Sequence, residues 1–488
     1  MIPEFDGLAI GSATMVSYMV LEAARNLRVI GRAGIGVDNV DTKAASARGV
    51  IVMNTPYGNS ITTAEHAISM MLALARQIPA ANASTQAGKW EKSKFMGVEL
   101  HGKTLGVIGC GNIGGIVADR ALGLKMKVIA FDPFLSPERA VAIGVEKVDL
   151  EPLLKRADFI SLHTPLTDKT RNILDAGALS RTKKGVRIIN CARGGLIDEA
   201  ALADAIRSGH VAGAALDVFE TEPATENVLF GLDNVVCTPH LGAATTEAQE
   251  NVALQVAEQM SDYLLTGAIT NAINFPSISA EEAPRLRPYL KLAEQLGSFA
   301  GQLTETGLKT IRLEYAGDMA EMNVKALSSV ALAGLLRPML SESVNMVSAT
   351  ALARDRGINV EEVHRGEEGA YQTYMRLTVI TERQERSVAG TVFSNDQPRI
   401  IQVKRINMEA ELTPHMLYIT NHDKPGLIGS LGRILGAAGV KLATFHRGRE
   451  KPGGDANCLV SVDEAVGPEV MNEVKALPSV VRVNELRF

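Results

Sequence analysis

The sequence predicts an α/β protein: a doubly wound parallel sheet, followed by domains of mixed α and β structure. Three observations lead to this fold class. The chain has 488 residues, which at about 150 residues per domain corresponds to about three domains. Between residues 102 and 238 short apolar runs alternate with helical patterns, and after residue 276 period-two segments take over. With 46% hydrophobic and 22% charged residues, the composition is typical of a globular protein rather than of a disordered or fibrous one.

Charge, cysteine content and hydropathy exclude several classes of protein. The net charge is −5 without any long block of like charge, so we expect no nucleic-acid partner. The four cysteines have no spacing typical of a disulfide framework or a zinc site, which favours the cytoplasm and predicts no metal. The longest apolar run, Met70 to Ala75, is far shorter than the ~18 residues of a membrane-spanning helix, and no secretory leader is visible.

The first part of the chain reads as a layer of parallel strands. Strand and helix patterns alternate there in the manner of βαβ units. The predicted elements are the strands Leu8–Ile10, Val29–Gly31 and Val50–Met53, the helical stretches Thr14–Asn26 and Val40–Arg48, and a long helix over Ser60–Arg76. That long helix is apolar on more than one face, which is compatible with packing across a dimer.

The central part shows the most regular alternation. Its strands are almost continuously hydrophobic, which indicates a parallel sheet covered by helices on both faces. The predicted strands are Leu105–Ile108, Lys127–Phe131, Phe159–Leu162, Val186–Asn190, Ala214–Asp217 and Val235–Thr238. Helices are predicted over Asn112–Leu122, Asp198–Ser208 and Thr246–Leu265.

The last two hundred residues change in character. A segment rich in Pro, Ser and Glu, Pro276–Pro284, predicts a domain boundary. A helical block (Ala320–Arg354) and period-two segments (Leu377–Thr381, Val388–Phe393 and Ile400–Leu412) then indicate an α+β domain. From Met416 to Leu486 the order is strand, helix, strand, strand, helix, strand, which predicts a small ferredoxin-like sandwich.

A glycine-rich turn provides the first chemical motif. Its sequence, Gly109-Cys110-Gly111-Asn112-Ile113-Gly114, follows a predicted strand and opens a predicted helix, so backbone N–H groups can approach a pyrophosphate. Asp132 lies 18 residues after Gly114, at the end of the next strand, where an acidic side chain meets a ribose 2′-hydroxyl. Because Asp132 would repel a 2′-phosphate, NAD is favoured over NADP. The alternative is that Asp132 is only a turn residue before Pro133.

Three charged side chains follow three predicted strands and supply the groups that a hydride transfer needs. Arg193, Glu222 and His240 each lie beyond the carboxyl end of a strand, the edge at which open α/β sheets bind ligands. An imidazole can accept the hydroxyl proton of a 2-hydroxy acid, a carboxylate can orient it, and a guanidinium can bind two oxygens at once. Taken singly, each of these residues has another interpretation: a solvated arginine, a charged turn and a histidine that caps a strand.

Several longer strings resemble those of a known family. They are GRAGIGVDNVD, NTPYGNS, GKTLGVIGCGNIG, NCARGGLIDE, ALDVFETEP and TPHLGA. The chain resembles over its whole length the D-isomer-specific 2-hydroxyacid dehydrogenases, in particular their long, four-domain members that act on D-3-phosphoglycerate. The resemblance implies a Rossmann-type NAD domain inserted in a flavodoxin-like substrate domain.

The resemblance also implies roles for individual residues. Arg193, Glu222 and His240 would form the catalytic set. The NAD site would be lined by Gly109, Gly111, Asn112, Ile113, Gly114, Asp132, Thr164, Cys191, Asp217 and Gly242. The substrate would meet Arg32 and, through backbone amides between Asn54 and Asn59, the stretch that includes Gly58.

Domain limits follow from the same resemblance. The substrate domain would comprise residues 1–55 and 245–275, the NAD domain 56–244, an intervening domain, resembling an allosteric substrate-binding domain, 276–412, and an ACT-type regulatory domain 413–488. Two departures concern the substrate domain. Gly11 stands where the family has an arginine that holds the substrate phosphate, and the first strand and helix of the family's substrate domain are expected to be missing before Met1.

In the C-terminal segment the resemblance implies an amino-acid site. Asn421 and Asp423 match positions that face L-serine in ACT domains, whereas Lys441 replaces a common asparagine and is expected to pair with Asp423. The alternative is that this domain only mediates dimerisation.

The function expected from these observations is the NAD-dependent oxidation of D-3-phosphoglycerate to 3-phosphohydroxypyruvate, in a cytoplasmic homodimer or homotetramer. Two alternatives stay open. One is another D-2-hydroxyacid dehydrogenase, acting on hydroxypyruvate, glyoxylate or 2-oxoglutarate. The other is an NAD-binding protein with weak or no turnover.

Overall fold

A computed structural model of the chain describes residues 2–340, 344–366 and 371–488. The chain divides into two compact units. The first comprises Met1–Arg32, Gly36–Asn54 and Val256–Phe488, and the second comprises Ala33–Ile35 and Thr55–Gln255. Met1 itself and residues 341–343 of the predicted helical block Ala320–Arg354 lie outside the described residues.

The first unit begins with a three-stranded parallel sheet. Its elements are β1 (Gly7–Ile10), α1 (Tyr18–Ala23), β2 (Val29–Arg32), α2 (Thr42–Ala47) and β3 (Ile51–Asn54), and the strand order is β1-β2-β3. Leu21, Ile30 and Val52 form part of its buried core. A Cβ built on Gly31 would lie 2.3 Å from Met260 Sδ, so a glycine is needed where the strand meets a helix.

The second unit contains the predicted parallel sheet. Its elements are α3 (Ser60–Arg76), α4 (Ile78–Gln86), β4 (Thr104–Ile108), α5 (Asn112–Gly123), β5 (Lys127–Phe131), α6 (Pro137–Ala142), β6 (Glu146–Lys147), α7 (Leu150–Arg156), β7 (Phe159–Leu162), α8 (Ala176–Ser180), β8 (Val186–Asn190), α9 (Glu199–Arg207), β9 (Val211–Leu216), β10 (Val235–Cys237) and α10 (Thr246–Thr266), the last of which runs on into the first unit. All its strand pairs are parallel, in the order β10-β9-β8-β7-β4-β5-β6.

This strand order reverses between β4 and β7. From β4 the chain builds outward through β5 and β6, and then crosses back to β7 on the other side of β4. Successive strand residues face opposite layers, since Val107 packs in one apolar cluster and Ile108 in the other. Both faces are therefore covered, as the continuous hydrophobicity of these strands predicted. In such sheets the ligand crevice lies at the point of reversal, beyond the carboxyl ends of the strands.

The first unit continues with a mixed six-stranded sheet. Its elements are α11 (Glu282–Gln302), β11 (Leu308–Ala316), α12 (Val324–Leu336), α13 (Ala349–Asp355), β12 (Asn359–Arg365), β13 (Tyr374–Thr381), β14 (Glu385–Val392), β15 (Pro398–Val403) and β16 (Ile406–Ala410). The order is β12-β11-β13-β14-β15-β16, with β11 and β12 parallel and the other pairs antiparallel. The prediction of one segment over Ile400–Leu412 is wrong, because Lys404 and Arg405 form a left-handed two-residue turn between two strands.

The chain ends in a four-stranded antiparallel sheet with two helices. Its elements are β17 (His415–His422), α14 (Leu427–Ala437), β18 (Leu442–Arg449), β19 (Asp455–Val462), α15 (Pro468–Lys475) and β20 (Val480–Arg487). The order β18-β19-β17-β20 is that of a ferredoxin-like sandwich, and this prediction is confirmed. Each helix among the described residues is too short or too polar to cross a membrane.

Candidate active site

The glycine-rich turn joins β4 to α5 at the reversal point of the sheet, and its three glycines meet different demands. Gly109 has a left-handed φ of +88°, and a Cβ there would lie 2.7 Å from the carbonyl oxygen of His163. A Cβ on Gly114 would lie 2.0 Å from the carbonyl oxygen of Gly109, so the helix packs directly on the turn. A Cβ on Gly111 would meet nothing within 4 Å. The backbone is thus open at the helix N-terminus, which fits the pyrophosphate of NAD.

Asp132 follows β5 and faces this turn. Its Oδ2 accepts a hydrogen bond of 2.8 Å from the Cys110 N–H, and its Oδ1 accepts one of 2.8 Å from the Phe134 N–H. The hydrogen bond from Phe134 is the one expected of a turn residue, the alternative that the sequence left open. The hydrogen bond from Cys110 instead ties the Asp132 carboxylate to the glycine-rich turn. Asn112 and Ile113, the other residues predicted here, are the first two residues of α5.

The remaining NAD residues predicted from the sequence follow neighbouring strands of the same sheet. Thr164 lies just beyond β7, and Cys191 follows β8 and is 5% exposed. Burial raises the pKa of the Cys191 thiol, which therefore stays protonated at neutral pH. Asp217 follows β9 and is fully buried, and its Oδ2 accepts a hydrogen bond of 2.8 Å from the Gly242 N–H.

His240 and Glu222 form a hydrogen-bonded pair at the same edge of the sheet. His240 Nδ1 lies 2.7 Å from Glu222 Oε2, and the second carboxylate oxygen of Glu222 accepts a bond of 3.0 Å from the Phe219 N–H. The His240 side chain is half exposed. Because its Nδ1 is engaged by the carboxylate, Nε2 is the nitrogen left to exchange a proton with a substrate.

The electrostatics of this pair suit an acid–base role. The hydrogen bond to Glu222 raises the pKa of His240 above its ordinary value, although burial and the charge of Arg193 act in the opposite sense. Burial opposes ionisation of Glu222, but its hydrogen bond to His240 and the Arg193 charge leave the pKa of that carboxyl below its ordinary value. Arg193 is therefore near enough to act on both members of the pair.

The backbone around Arg193 is fixed by Asn190 at the end of β8. Asn190 Oδ1 accepts from the Ala192 N–H at 3.0 Å, and its Nδ2 donates to the Arg193 carbonyl at 2.9 Å. A Cβ on Gly194 would lie 1.8 Å from the Phe219 carbonyl oxygen, so the arginine turn packs closely against the segment that carries Glu222. The structure thus brings together the three groups that the sequence predicted as catalytic.

The predicted substrate residues are divided between the two units. Arg32 ends β2 and Asn54 ends β3 in the first unit, whereas Gly58 and Asn59 precede α3 in the second. The Asn54 N–H donates to the Asn271 carbonyl and the Thr55 N–H to the Gly34 carbonyl. These two backbone amides therefore already have partners within the protein, and their role toward the substrate stays a prediction. Asn59 is 7% exposed, and its Oδ1 is buried without a hydrogen-bond partner among the described residues.

One residue of this region was missed by the sequence reasoning. His66 on α3 lies 3.2 Å from Asp217 Oδ1, and its ring nitrogen, the Asp217 carboxylate and the Cys191 thiol lie within 4.8 Å of one another. Such a trio resembles a metal site, but the Asp217 oxygens already accept hydrogen bonds from Thr238, Leu241 and Gly242. A protonated thiol and a carboxylate that already accepts three hydrogen bonds indicate a hydrogen-bond network instead. A single histidine on an amphipathic helix gave no signal in the sequence.

In the C-terminal sheet the predicted pairing of Asp423 with Lys441 is wrong. The Asp423 carboxylate is held by Arg447, by Arg449 at 3.1 Å and by the Gly453 N–H at 3.0 Å. These contacts lower the pKa of Asp423 to about 2, with the Gly453 amide as the largest cause. Asn421 is 1% exposed, and its side chain bonds to the His422 carbonyl and to Cys458.

Comparison with known proteins gives two family matches. Residues 68–242 match the D-isomer specific 2-hydroxyacid dehydrogenase NAD binding domain, and residues 285–404 match the D-3-phosphoglycerate dehydrogenase intervening domain. The D-3-phosphoglycerate dehydrogenase of Synechocystis is 44% identical over 97% of this chain and 86% of its own length. That of Bacillus subtilis is 41% identical over 98% of this chain and 91% of its own length. The chain belongs to the D-3-phosphoglycerate dehydrogenase family.

Solved structures agree with this family assignment. The D-lactate dehydrogenase of Aquifex aeolicus, in complex with NAD and lactic acid, is 27% identical, with a TM-score of 0.51 over 57% of this chain and 89% of its own. As a member of the D-3-phosphoglycerate dehydrogenase family, the chain is an oxidoreductase that uses NAD, and the predicted fold class, enzyme class and cofactor are confirmed.

Proposed function

We propose that the chain catalyses the NAD-dependent oxidation of D-3-phosphoglycerate to 3-phosphohydroxypyruvate, the first step of L-serine biosynthesis. The observation that carries the proposal is the 2.7 Å hydrogen bond between His240 Nδ1 and Glu222 Oε2, within the electrostatic reach of Arg193. The names of the relatives support the choice of substrate.

In the proposed mechanism His240 acts as the base. Its Nε2 accepts the proton of the C2 hydroxyl, and Glu222 stabilises the resulting imidazolium across Nδ1. Arg193 binds the substrate carboxylate and the developing carbonyl oxygen through its planar guanidinium. NAD, when bound, supplies the acceptor for the hydride that leaves C2. In the reverse direction the protonated His240 returns its proton to the carbonyl oxygen.

The residues that hold NAD belong to this proposal as well. The N-terminus of α5 would hold the pyrophosphate at Gly109, Gly111 and Gly114, and Asp132 would bind the ribose. Thr164, Cys191, Asp217 and Gly242 would line the rest of the site. For the substrate we propose Arg32, Gly58 and Asn59, of which Asn59 offers a buried polar atom without a partner among the described residues.

We further propose four domains with limits close to those predicted. Residues 1–55 with 245–275 would bind the substrate, 56–244 NAD, 276–412 would form the intervening domain and 413–488 an ACT-type regulatory domain. The match of residues 285–404 to the intervening domain of the family supports the third of these. Four free cysteines support a reducing compartment such as the cytoplasm.

L-Serine is the candidate ligand of the C-terminal domain, where Asn421 and Asp423 would face it. The ion pairs of Asp423 with Arg447 and Arg449 would have to open first. Titration calorimetry with serine, on the wild type and on Asp423→Asn, tests this. Heat of binding that the variant loses supports the proposal, and no heat with the wild type contradicts it.

The phosphate is the part of the substrate that needs the strongest test, because Gly11 stands where the resemblance to the family implies an arginine. Gly11 lies directly after β1, is exposed, and a Cβ built there meets nothing within 4 Å. This observation favours the second candidate, an enzyme for unphosphorylated 2-hydroxy acids. Turnover of D-3-phosphoglycerate and of D-glycerate should be compared on the same preparation. A kcat/KM at least about tenfold higher for the phosphorylated acid supports the first proposal, and the opposite ratio supports the second.

Gly11→Arg sharpens this comparison, since the open surroundings of Gly11 leave room for the longer side chain. We expect the variant to raise kcat/KM for D-3-phosphoglycerate about tenfold, the effect of one charge-assisted hydrogen bond, and to leave that for D-glycerate unchanged. Gly11→Gln, of similar length without charge, is the matched control. An equal change for both acids would mean that position 11 does not meet the phosphate.

A further inference from the structure

The imidazole of His66 contacts Asp217, the residue whose carbonyl accepts the His240 N–H. His66 belongs to α3, is 19% exposed at its side chain, and places Nε2 3.2 Å from Asp217 Oδ1 and 3.2 Å from Thr238 Oγ1. The Thr238 hydroxyl donates its one proton to Asp217 Oδ1 at 2.6 Å, so it can only accept from Nε2, which must therefore carry the proton. The tautomer of His66 is therefore set by Asp217.

Asp217 in turn holds the backbone on both sides of His240. Its carbonyl oxygen accepts from the His240 N–H at 2.9 Å, and its Oδ1 accepts from the Leu241 N–H at 2.7 Å. Its Oδ2 accepts from the Gly242 N–H at 2.8 Å. Three consecutive amides of the segment that carries the imidazole thus end on one residue.

This anchoring is needed because His240 has an unusual backbone. Its φ of +56° lies in the left-handed region, which costs of order 1–3 kcal/mol for a residue with a side chain and persists only where the surroundings impose it. The contacts with Asp217 impose it. They thereby also set the direction in which the imidazole leaves the backbone toward Glu222.

The Asp217 carboxylate accepts these hydrogen bonds on both of its oxygens only while it is ionised. It is also completely buried. Burial opposes its ionisation, but hydrogen bonds from His66, Thr238 and the Leu241 amide leave its pKa below the ordinary value. Of these three donors only His66 can carry a positive charge. His66 lies on a rigid element, because α3 is a helix of 17 residues with eight buried side chains.

We propose that His66 is a positioning residue of the active site, which fixes the His240 backbone and so the His240–Glu222 alignment by clamping the Asp217 carboxylate. The inference rests on the proposed role of His240 as the acid–base group. It adds that the catalytic pair depends on a second imidazole that need not touch the substrate.

The test compares His66→Leu, which removes the donor at similar volume, with His66→Gln, which keeps an N–H donor. Glu65→Ala changes the exposed neighbour on the same helix and is the control. Displacement of a catalytic group by about 1 Å can cost about 10²-fold in rate. We expect His66→Leu to lower kcat about 10- to 100-fold with KM for the hydroxy acid within about twofold, His66→Gln to recover most of the loss, and Glu65→Ala to leave kcat unchanged.

A second readout does not depend on turnover. In protein labelled with ¹⁵N at its nine histidines, the His240 signal, assigned with His240→Gln, reports the titration of that imidazole without NAD. We expect the titration of His240 to move to lower pH in His66→Leu and to stay near the wild type in His66→Gln. An unchanged kcat and His240 titration in folded His66→Leu would overturn the proposal, as would a loss of kcat that merely follows a loss of folded protein. Near-normal turnover of His240→Gln would instead contradict the proposed function.

Discussion

At the scale of single residues, the proposed mechanism depends on one imidazole whose protonation is set by its neighbours. Glu222 raises the pKa of His240 and Arg193 opposes that rise, so both charges act on the same proton. In the oxidation direction His240 must be neutral to accept the hydroxyl proton, whereas in reduction it must be protonated to donate it. A raised pKa therefore moves the onset of oxidation to higher pH and widens the pH range in which reduction proceeds.

Glu222→Gln tests how the charges of Glu222 and Arg193 together set the pKa of His240. Without the carboxylate the pKa of His240 falls, so we expect the acidic limb of kcat/KM for oxidation to move to lower pH. Reduction at neutral pH should fall by about 10²-fold or more, because less imidazolium is present and its orientation is lost. The measurement is the pH profile of kcat/KM in both directions.

Glu220→Gln is the matched control for that experiment, since Glu220 lies two residues earlier and is exposed. Its pH profiles should coincide with those of the wild type. If Glu222→Gln kept both limbs in place, the pair seen in the structure would not be the acid–base pair of the reaction. His240→Gln should itself lower kcat about 10²- to 10⁴-fold.

The proposed catalytic residues could be selected from the sequence because each follows a strand that the sequence marks clearly. Arg193, Glu222 and His240 lie three to six residues beyond the ends of apolar strands, and the parallel sheet brings such positions to one edge. His66 and the partners of Asp423 could not be predicted in this way. His66 reaches Asp217 from a helix 151 residues earlier in the chain, and Arg447 and Arg449 meet Asp423 only because β18 and β17 both pair with β19. Such contacts are set by packing, which a local pattern does not contain.

At the scale of helices and strands, boundaries with local chemical causes were predictable. α3 was predicted with both of its ends, and the strands β5, β7 and β8 were predicted to the residue. α11, β11 and β12 were missed. α11 carries Pro288 within it, and its Gly297 and Gly301 serve close packing, since a Cβ on Gly297 would lie 2.1 Å from the Ala331 carbonyl oxygen of α12. Proline and glycine normally signal loops, so a helix that uses them for packing is hidden in the sequence.

α5 offers a prediction about the NAD site, because two adjacent glycines in it have opposite surroundings. In Gly114→Ala the new Cβ would lie 2.0 Å from the Gly109 carbonyl oxygen, so helix and turn must separate. We expect a loss of about 1–3 kcal/mol in unfolding free energy and at least about tenfold weaker NAD binding. Denaturant unfolding and NAD titration by fluorescence measure the two effects.

Gly115→Ala is the control within the same turn of helix, since its Cβ would meet nothing within 4 Å. Replacing a helical glycine by alanine should raise stability by about 0.5–1 kcal/mol and leave NAD binding unchanged. Equal NAD affinities in the two variants would show that the turn does not bind the pyrophosphate.

At the scale of the whole molecule, the last sheet and the six-stranded sheet of the first unit are joined by contacts to main-chain atoms rather than by a sequence motif. Gln302 at the end of α11 donates to the Arg487 carbonyl at 2.7 Å and accepts from the Arg487 N–H at 2.9 Å. A Cβ on Gly448 of β18 would lie 2.3 Å from the Asn407 carbonyl oxygen of β16. The C-terminal sandwich is therefore packed on its neighbour, which a small amphipathic module requires to bury its second face.

Quaternary structure is the remaining level, and here we expect a homodimer through one apolar surface of the second unit. Leu72 on α3, Ile78 on α4, and Trp90 and Met96 in the segment after α4 are exposed, the last two by 86% and 77%. An exposed group of large apolar side chains marks an association surface, and aromatic residues are enriched in the centre of such interfaces.

Trp90 reports on this dimer, since it is the only tryptophan of the chain. In the dimer its indole would leave water, so we expect wild-type emission at short wavelength and weak quenching by acrylamide, with a dimer mass by light scattering. Ile78→Glu places an unpaired charge in the interface and should weaken association by about 10²-fold, or roughly 3 kcal/mol, with strong quenching of Trp90 in the resulting monomer. Val141→Glu adds the same charge at an exposed valine on α6 and should leave the dimer intact. A wild-type monomer, or a dimer in which Trp90 is fully quenched, would mean that the chain does not associate through this surface.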